Sequence, residues 1–108
     1  MSALAAAPEG LRDLVDSVGL EPLKPLLLEL DGELAGFVTA PPTEAEVLAR
    51  QAHGLIGAAG GIGFTELAEH CRLLERACKA GGDVRATLVA AQTSAKGARG
   101  VIGDLAAA

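Results

Sequence analysis

The sequence predicts an all-α protein, an antiparallel up-down four-helix bundle with a short additional N-terminal helix. Four stretches carry apolar residues at alternating steps of three and four, a spacing that lays one apolar stripe along a helix. Only two residues are aromatic and Ala is abundant, which favours the close packing of narrow helices over a β core. Because short connections join the four stretches, we expect consecutive helices to be antiparallel neighbours.

A chain of 108 residues is long enough for one compact domain and too short for two. We therefore expect residues 1–108 to form a single domain, with residues 1–10 as a flexible N-terminus. The short additional helix is predicted from the apolar group Leu11, Leu14, Val15 and Val18, and it would cover one end of the core.

The first two long helices are predicted from the stripes Leu23, Leu27, Leu30, Leu34, Phe37 and Ala45, Leu48, Ala52, Leu55, Ala59, Ile62. Pro22 and Pro25 are compatible with the first turns of a helix, where a missing N–H breaks no helical hydrogen bond. The pair Pro41-Pro42 ends the first helix. The second is expected to start at Thr43, because Thr43 and Glu46 have the spacing of a capping box.

In the rest of the chain, glycines mark the predicted ends of helices. Gly60, Gly61 and Gly63 permit a tight reversal after the second helix. The third stripe is Leu67, Cys71, Leu74 and Cys78, closed by Gly81-Gly82. Asp83 is the predicted N-cap of the last helix. Its stripe is Val84, Leu88, Ala91, Ala95, Ala98, Ile102 and Leu105, and Gly97, Gly100 and Gly103 predict fraying or bending of its last turns.

Charge and hydropathy exclude two classes of partner. The net charge is −5 and no basic cluster is visible, which argues against nucleic-acid binding. The N-terminus has no secretory signal, and acidic residues interrupt the longest apolar region, so we expect no membrane span and a cytoplasmic location. Cys71 and Cys78 would lie about 10 Å apart along one helix, too far for a disulfide or a shared zinc ion. We expect no metal site and interpret both cysteines as buried apolar residues.

His53 is the residue that most favours a specific function. It follows a core-facing Ala52 and therefore points about 100° away from the buried stripe, towards solvent. Its helical neighbours Ala49, Gly57 and Gly60 are small, so another protein can approach the ring. A neutral imidazole has one unprotonated nitrogen, and that nitrogen can attack phosphorus.

The segment that begins at His53 resembles the histidine phosphotransfer (HPt) domains of bacterial phosphorelays. The similarity runs without a gap through Leu55, Gly57, Gly63, Leu67, Cys71, Leu74 and Glu75. It is strong from Thr43 to Lys79, and it reaches the flanking helices only through their amphipathic pattern. Three residues after the histidine, where the family usually has lysine, this chain has Ile56.

The resemblance implies a phosphocarrier in a multistep His–Asp phosphorelay. His53 would accept a phosphoryl group from a receiver-domain aspartate and donate it to another, without ATP binding or autokinase activity. The expected partners are response-regulator receiver domains, hybrid histidine kinases or both. No cofactor is expected on this chain, because Mg²⁺ would come with the receiver, and we expect a monomer.

The resemblance also suggests supporting residues. A polar residue at the position of Glu75 often hydrogen-bonds the imidazole in this family, and we assign Glu75 that function. Arg50 and Arg72 are the candidate cations in place of the missing lysine, although both are equally compatible with ordinary solvated charges. The predicted docking surface for the receiver consists of Ala49, Ile56, Gly57, Gly60 and Phe64.

Other functions fit the same sequence. A degenerate HPt-like adaptor would bind a receiver without being phosphorylated, and a purely structural bundle would dimerise through Ala/Gly-rich faces. An accessible His53 favours the carrier, whereas burial of His53 against a partner subunit would favour the structural function.

His70 has no accompanying motif and is interpreted as a surface or bundle-edge residue. The glycine-rich segment 57–63 lacks the Gly-Lys-Ser/Thr of a nucleotide loop.

Overall fold

A computed structural model describes residues 3–108, and this part of the chain contains five α-helices and no strand. The helices are α1 (Glu9–Val18), α2 (Lys24–Thr39), α3 (Ala45–Gly61), α4 (Thr65–Ala80) and α5 (Val84–Ala107). Short 3₁₀ turns cover Ala3–Ala6 and Glu21–Leu23. The all-α prediction is confirmed. No helix within residues 3–108 combines the length and the apolar character needed to cross a membrane.

The long helices pack side by side around one apolar core in a molecule of 41 × 22 × 22 Å. α3 lies against α4, α4 against α5, and α5 against α2. The stripe predicted for α2 is buried along its whole length, and Phe37 and Leu34 are fully buried. Burying each such side chain contributes about 1.5–3 kcal/mol. Small residues complete the core where helices approach closely: Ala52, Ala59, Ala91 and Ala95 have no exposed surface.

Two polar contacts fix α2 against α5. The guanidinium of Arg99 donates to the carboxylate of Asp31 over 2.9 Å, and both side chains are half-buried. The Gln92 amide donates to the carbonyl oxygen of Phe37 over 3.1 Å, close to the C-terminal end of α2.

The N-terminal segment packs against the turn between α3 and α4. Gly63 in that turn has φ +96°, a conformation that favours glycine, and a Cβ there would overlap the backbone of Leu11. Leu11 is fully buried, and Ala7 is also part of the core. A flexible segment 1–10 stays a prediction. Ala7 is packed into the core and α1 begins at Glu9, while residues 1 and 2 lie outside the described part. Val18 is exposed, so it does not cover the core as predicted.

The helix ends predicted from the sequence are confirmed only in part. Asp83 caps α5 as predicted, with its carboxylate accepting from the N–H of Ala86 over 2.9 Å. The capping box at the start of α3 is wrong: Glu44 is the N-cap and makes no side-chain capping bond, which leaves Thr43 outside the helix. Ala45 consequently lies in the exposed first turn instead of in the core stripe. α5 continues to Ala107 through its three glycines.

Candidate functional site

An open groove of about 800 Å³ lies between α3 and α4, and His53 is part of its wall. The groove is lined by Ala45, Glu46, Ala49, Arg50, His53 and Gly54 from α3 and by Glu75, Cys78 and Lys79 from α4. His53 follows the fully buried Ala52, and Glu75 follows the fully buried Leu74. Each polar side chain therefore leaves the helix at the edge of its buried stripe, where the two helices face each other across the groove.

The imidazole of His53 is held by Glu75. Its Nδ1 is 2.9 Å from Oε2 of Glu75, while 74% of the His53 side chain is exposed and only 15% of the Glu75 side chain. A carboxylate can only accept, so a hydrogen bond across this distance requires the proton on Nδ1. In the neutral ring the lone pair then resides on Nε2. The contact thus favours the tautomer with the proton on Nδ1 in an otherwise solvent-exposed histidine.

A second cationic group shares the same carboxylate oxygen. Nζ of Lys79, one turn after Glu75 on α4, is 3.0 Å from Oε2 of Glu75. The hydrogen bond from Lys79 lowers the pKa of Glu75; burial opposes this effect, and His53 adds to it. Glu75 is therefore ionised at neutral pH and remains an acceptor for His53.

The two arginines predicted from the sequence occupy different places. Arg50 lines the groove, and its guanidinium is 3.8 Å from the carboxylate of Glu46, with both side chains exposed. Arg72 does not line the groove, and its guanidinium donates to Glu69 over 2.7 Å. The structure thus brings Arg50 near His53 and directs Arg72 towards the preceding turn of α4.

The predicted docking surface is only partly accessible. Gly57 is exposed, and Ile56 and Gly60 are half-buried. Phe64 is 3% exposed and belongs to the core, because the turn after α3 directs it inward. The prediction that Phe64 offers a docking contact is therefore wrong. Ala49 is also buried, so it contributes the floor of the groove and little contact area.

Sequence reasoning did not assign a function to Lys79. Its spacing of four residues from Glu75 was the available signal, because residues at that separation are neighbours on a helix surface.

Cys78 is half-buried at the groove, whereas Cys71 is fully buried. Burial raises the pKa of both thiols, that of Cys71 to about 11. His70 is half-buried and 3.8 Å from Glu66, outside the groove.

Comparison with models of protein families gives a match to the family described as Hpt domain over residues 4–107. Comparisons with curated proteins and with solved structures gave no match. The family match spans nearly the whole chain, including α1 and α5, which the sequence motif did not reach. The chain therefore belongs to the Hpt domain family.

Proposed function

We propose that this protein is a phosphocarrier in a multistep His–Asp phosphorelay and that His53 is its phosphorylated residue. Hpt domains act in phosphotransfer with receiver domains and histidine kinases. The observation that carries the proposal is the 2.9 Å contact between Nδ1 of His53 and Glu75 beneath a largely exposed ring. It leaves the Nε2 lone pair available to a partner protein.

The transfer balances with the groups present. The Nε2 lone pair attacks the phosphorus of an aspartyl phosphate, the P–O bond to the aspartate breaks, and its electron pair stays on the aspartate carboxylate. No proton has to move, because Nδ1 keeps its hydrogen. The positive charge that develops on the ring faces the carboxylate of Glu75. Donation to a second receiver is the same step reversed.

The rest of the chemistry comes from the partner. Phosphoryl transfer depends mainly on positioning and charge stabilisation, so the carrier needs few reactive groups. We propose that the receiver domain, free or as part of a hybrid histidine kinase, brings the aspartyl phosphate and Mg²⁺. Its contact surface would include Gly57, Gly60 and the exposed part of Ile56. This protein would neither bind ATP nor phosphorylate itself.

The proposed architecture is an up-down bundle of α2–α5 that acts as a monomer in the cytoplasm. Residues 62–64 connect α3 to α4, and residues 81–83 connect α4 to α5. Three residues span at most about 10 Å. A helix the length of α4 is about 24 Å long. Connections this short support opposite directions for helices that pack side by side.

Labelled receiver phosphate tests the proposal. Purified protein would be mixed with a ³²P-phosphorylated receiver domain, and acid-labile label on the carrier would be followed over time. Wild type and His70→Gln should acquire label, and His53→Gln should not. Label that persists in His53→Gln would refute the site, and absence of label from wild type would refute the relay function if a known Hpt protein accepts it in parallel.

Ile56 favours one second candidate, an adaptor that binds a receiver without being phosphorylated. The side chain is half-buried and uncharged where the family usually has lysine. An adaptor would form a complex with the receiver, measurable by isothermal titration calorimetry, and would take up no label in the same mixture. Uptake of label by wild type excludes it.

A further inference from the structure

The charge on the phosphoryl group has to be balanced in a site without the usual lysine. A phosphorylated histidine carries additional negative charge and three acceptor oxygens. Ile56, on α3, cannot supply a cation. Arg72 is held by Glu69 over 2.7 Å and does not line the groove. Arg50 also lines the groove, but its guanidinium is paired at 3.8 Å with Glu46 on its own helix and not with Glu75.

Lys79 is the cation that the structure connects to His53. Its Nζ is 3.0 Å from Oε2 of Glu75, and the same oxygen is 2.9 Å from Nδ1 of His53. Two atoms at these distances from one oxygen are no more than about 6 Å apart. The ammonium group has three donors on a flexible four-carbon stem, and the side chain is 66% exposed. It is therefore free to turn from Glu75 towards a group on the imidazole.

We propose that Lys79 on α4 is the residue that stabilises the phosphoryl group on His53, replacing a basic residue at position 56 of α3. This inference rests on the proposed function of His53. Lys79 forms no covalent bond. It is held beside the imidazole by Glu75 before transfer and donates to phosphoryl oxygens afterwards. The cation thus approaches His53 from the opposite helix, leaving Ile56 as an apolar contact for the partner.

A small phosphoryl donor tests Lys79 without a receiver. With phosphoramidate, the Nε2–P bond forms, the P–N bond of the reagent breaks and ammonia leaves. The rate of loading and the half-life of phosphohistidine would be measured by mass spectrometry of the intact protein. Lys79→Gln should lower the loading rate about three- to tenfold, within the range for hydrogen bonds to charged and exposed groups. Arg76→Gln, an exposed cation on α4 outside the groove, is the matched control and should match wild type.

A rescue variant separates charge from structure. Ile56→Lys in the Lys79→Gln background places an ammonium on α3 and does not rebuild the Lys79–Glu75 contact. Recovery to within about twofold of the wild-type rate supports the inference. Failure of this rescue, or equal rates for Lys79→Gln and wild type, would overturn it. Loading of wild type by phosphoramidate with no transfer to or from a receiver would instead overturn the relay function, and a His53 that phosphoramidate does not label would overturn both.

Discussion

Gly57 offers the sharpest test of whether the surface beside His53 is shaped for a partner instead of for stability. Gly57 lies within α3, one turn after His53, and a Cβ at this position would meet no atom within 4 Å. Inside a helix, Gly is less stable than Ala by about 0.5–1 kcal/mol. Gly57→Ala should therefore raise the free energy of unfolding by that amount and the melting temperature by about 2 to 6 °C.

The same substitution should impair transfer. It adds a methyl group to the exposed face through which a receiver must reach Nε2, so we expect transfer from a phosphorylated receiver to slow several-fold. Thermal unfolding followed by circular dichroism measures the first effect, and uptake of ³²P measures the second. Stability and transfer should move in opposite directions.

Gly100→Ala is the matched control for Gly57→Ala. Gly100 is exposed on α5, a Cβ there also meets no atom within 4 Å, and α5 does not line the groove. This variant should gain similar stability and keep the wild-type transfer rate. A destabilised Gly57→Ala would refute the open-space argument. A stabilised Gly57→Ala with unchanged transfer would refute the claim that this glycine serves partner access.

Three further outcomes are expected. Gly63→Ala should lower the free energy of unfolding by at least about 2 kcal/mol in urea titration, because φ +96° is strained for Ala and the Cβ overlaps Leu11. A loss below about 0.5 kcal/mol, the size typical of surface substitutions, would contradict this. At pH 8 a thiol reagent should modify Cys78 before Cys71, as read by mass spectrometry, since burial raises the pKa of Cys71 to about 11; the reverse order would contradict it. The pKa of Glu75 is lowered from 4.5, so its ionised form stabilises the fold above that pH and this contribution is lost as the pH falls through the lowered pKa. Urea titrations at pH 7 and pH 3 should show Glu75→Gln less stable than wild type only at pH 7, and an equal difference at both pH values would refute this linkage.

The core could be predicted from the sequence because apolar periodicity reports directly on which face of a helix is buried. Leu27, Leu34 and Phe37 on α2 and Ile102 on α5 were all placed correctly. Prediction from periodicity fails at the ends of helices, because too few residues remain there to show a repeat. Phe64 was expected in the docking surface around His53, and the packing of α1 beside the turn after α3 encloses it instead.

The site could be predicted in part for a related reason. The resemblance to HPt domains was sufficient to expect a contact between His53 and Glu75, and the structure contains this contact at 2.9 Å. The spacing of Lys79 from Glu75 was a signal in the sequence, but the proximity of Lys79 to His53 also depends on which turn of α4 faces which turn of α3. That register is set by packing between helices, such as the close approach of Gly60 to Ala68, where a Cβ at position 60 would lie 3.5 Å from the Ala68 methyl group. A stripe on one helix carries no information about it.

The nitrogen that receives phosphorus tests the central claim most directly. ³¹P and ¹H–¹⁵N NMR of the ¹⁵N-labelled protein, loaded with phosphoramidate, would identify the phosphorylated atom. Because Glu75 holds Nδ1 as a donor, the account predicts a single phosphorus bonded to Nε2 of His53. Phosphorus on Nδ1 of His53, or a phosphorylated His70 beside an unmodified His53, would contradict it.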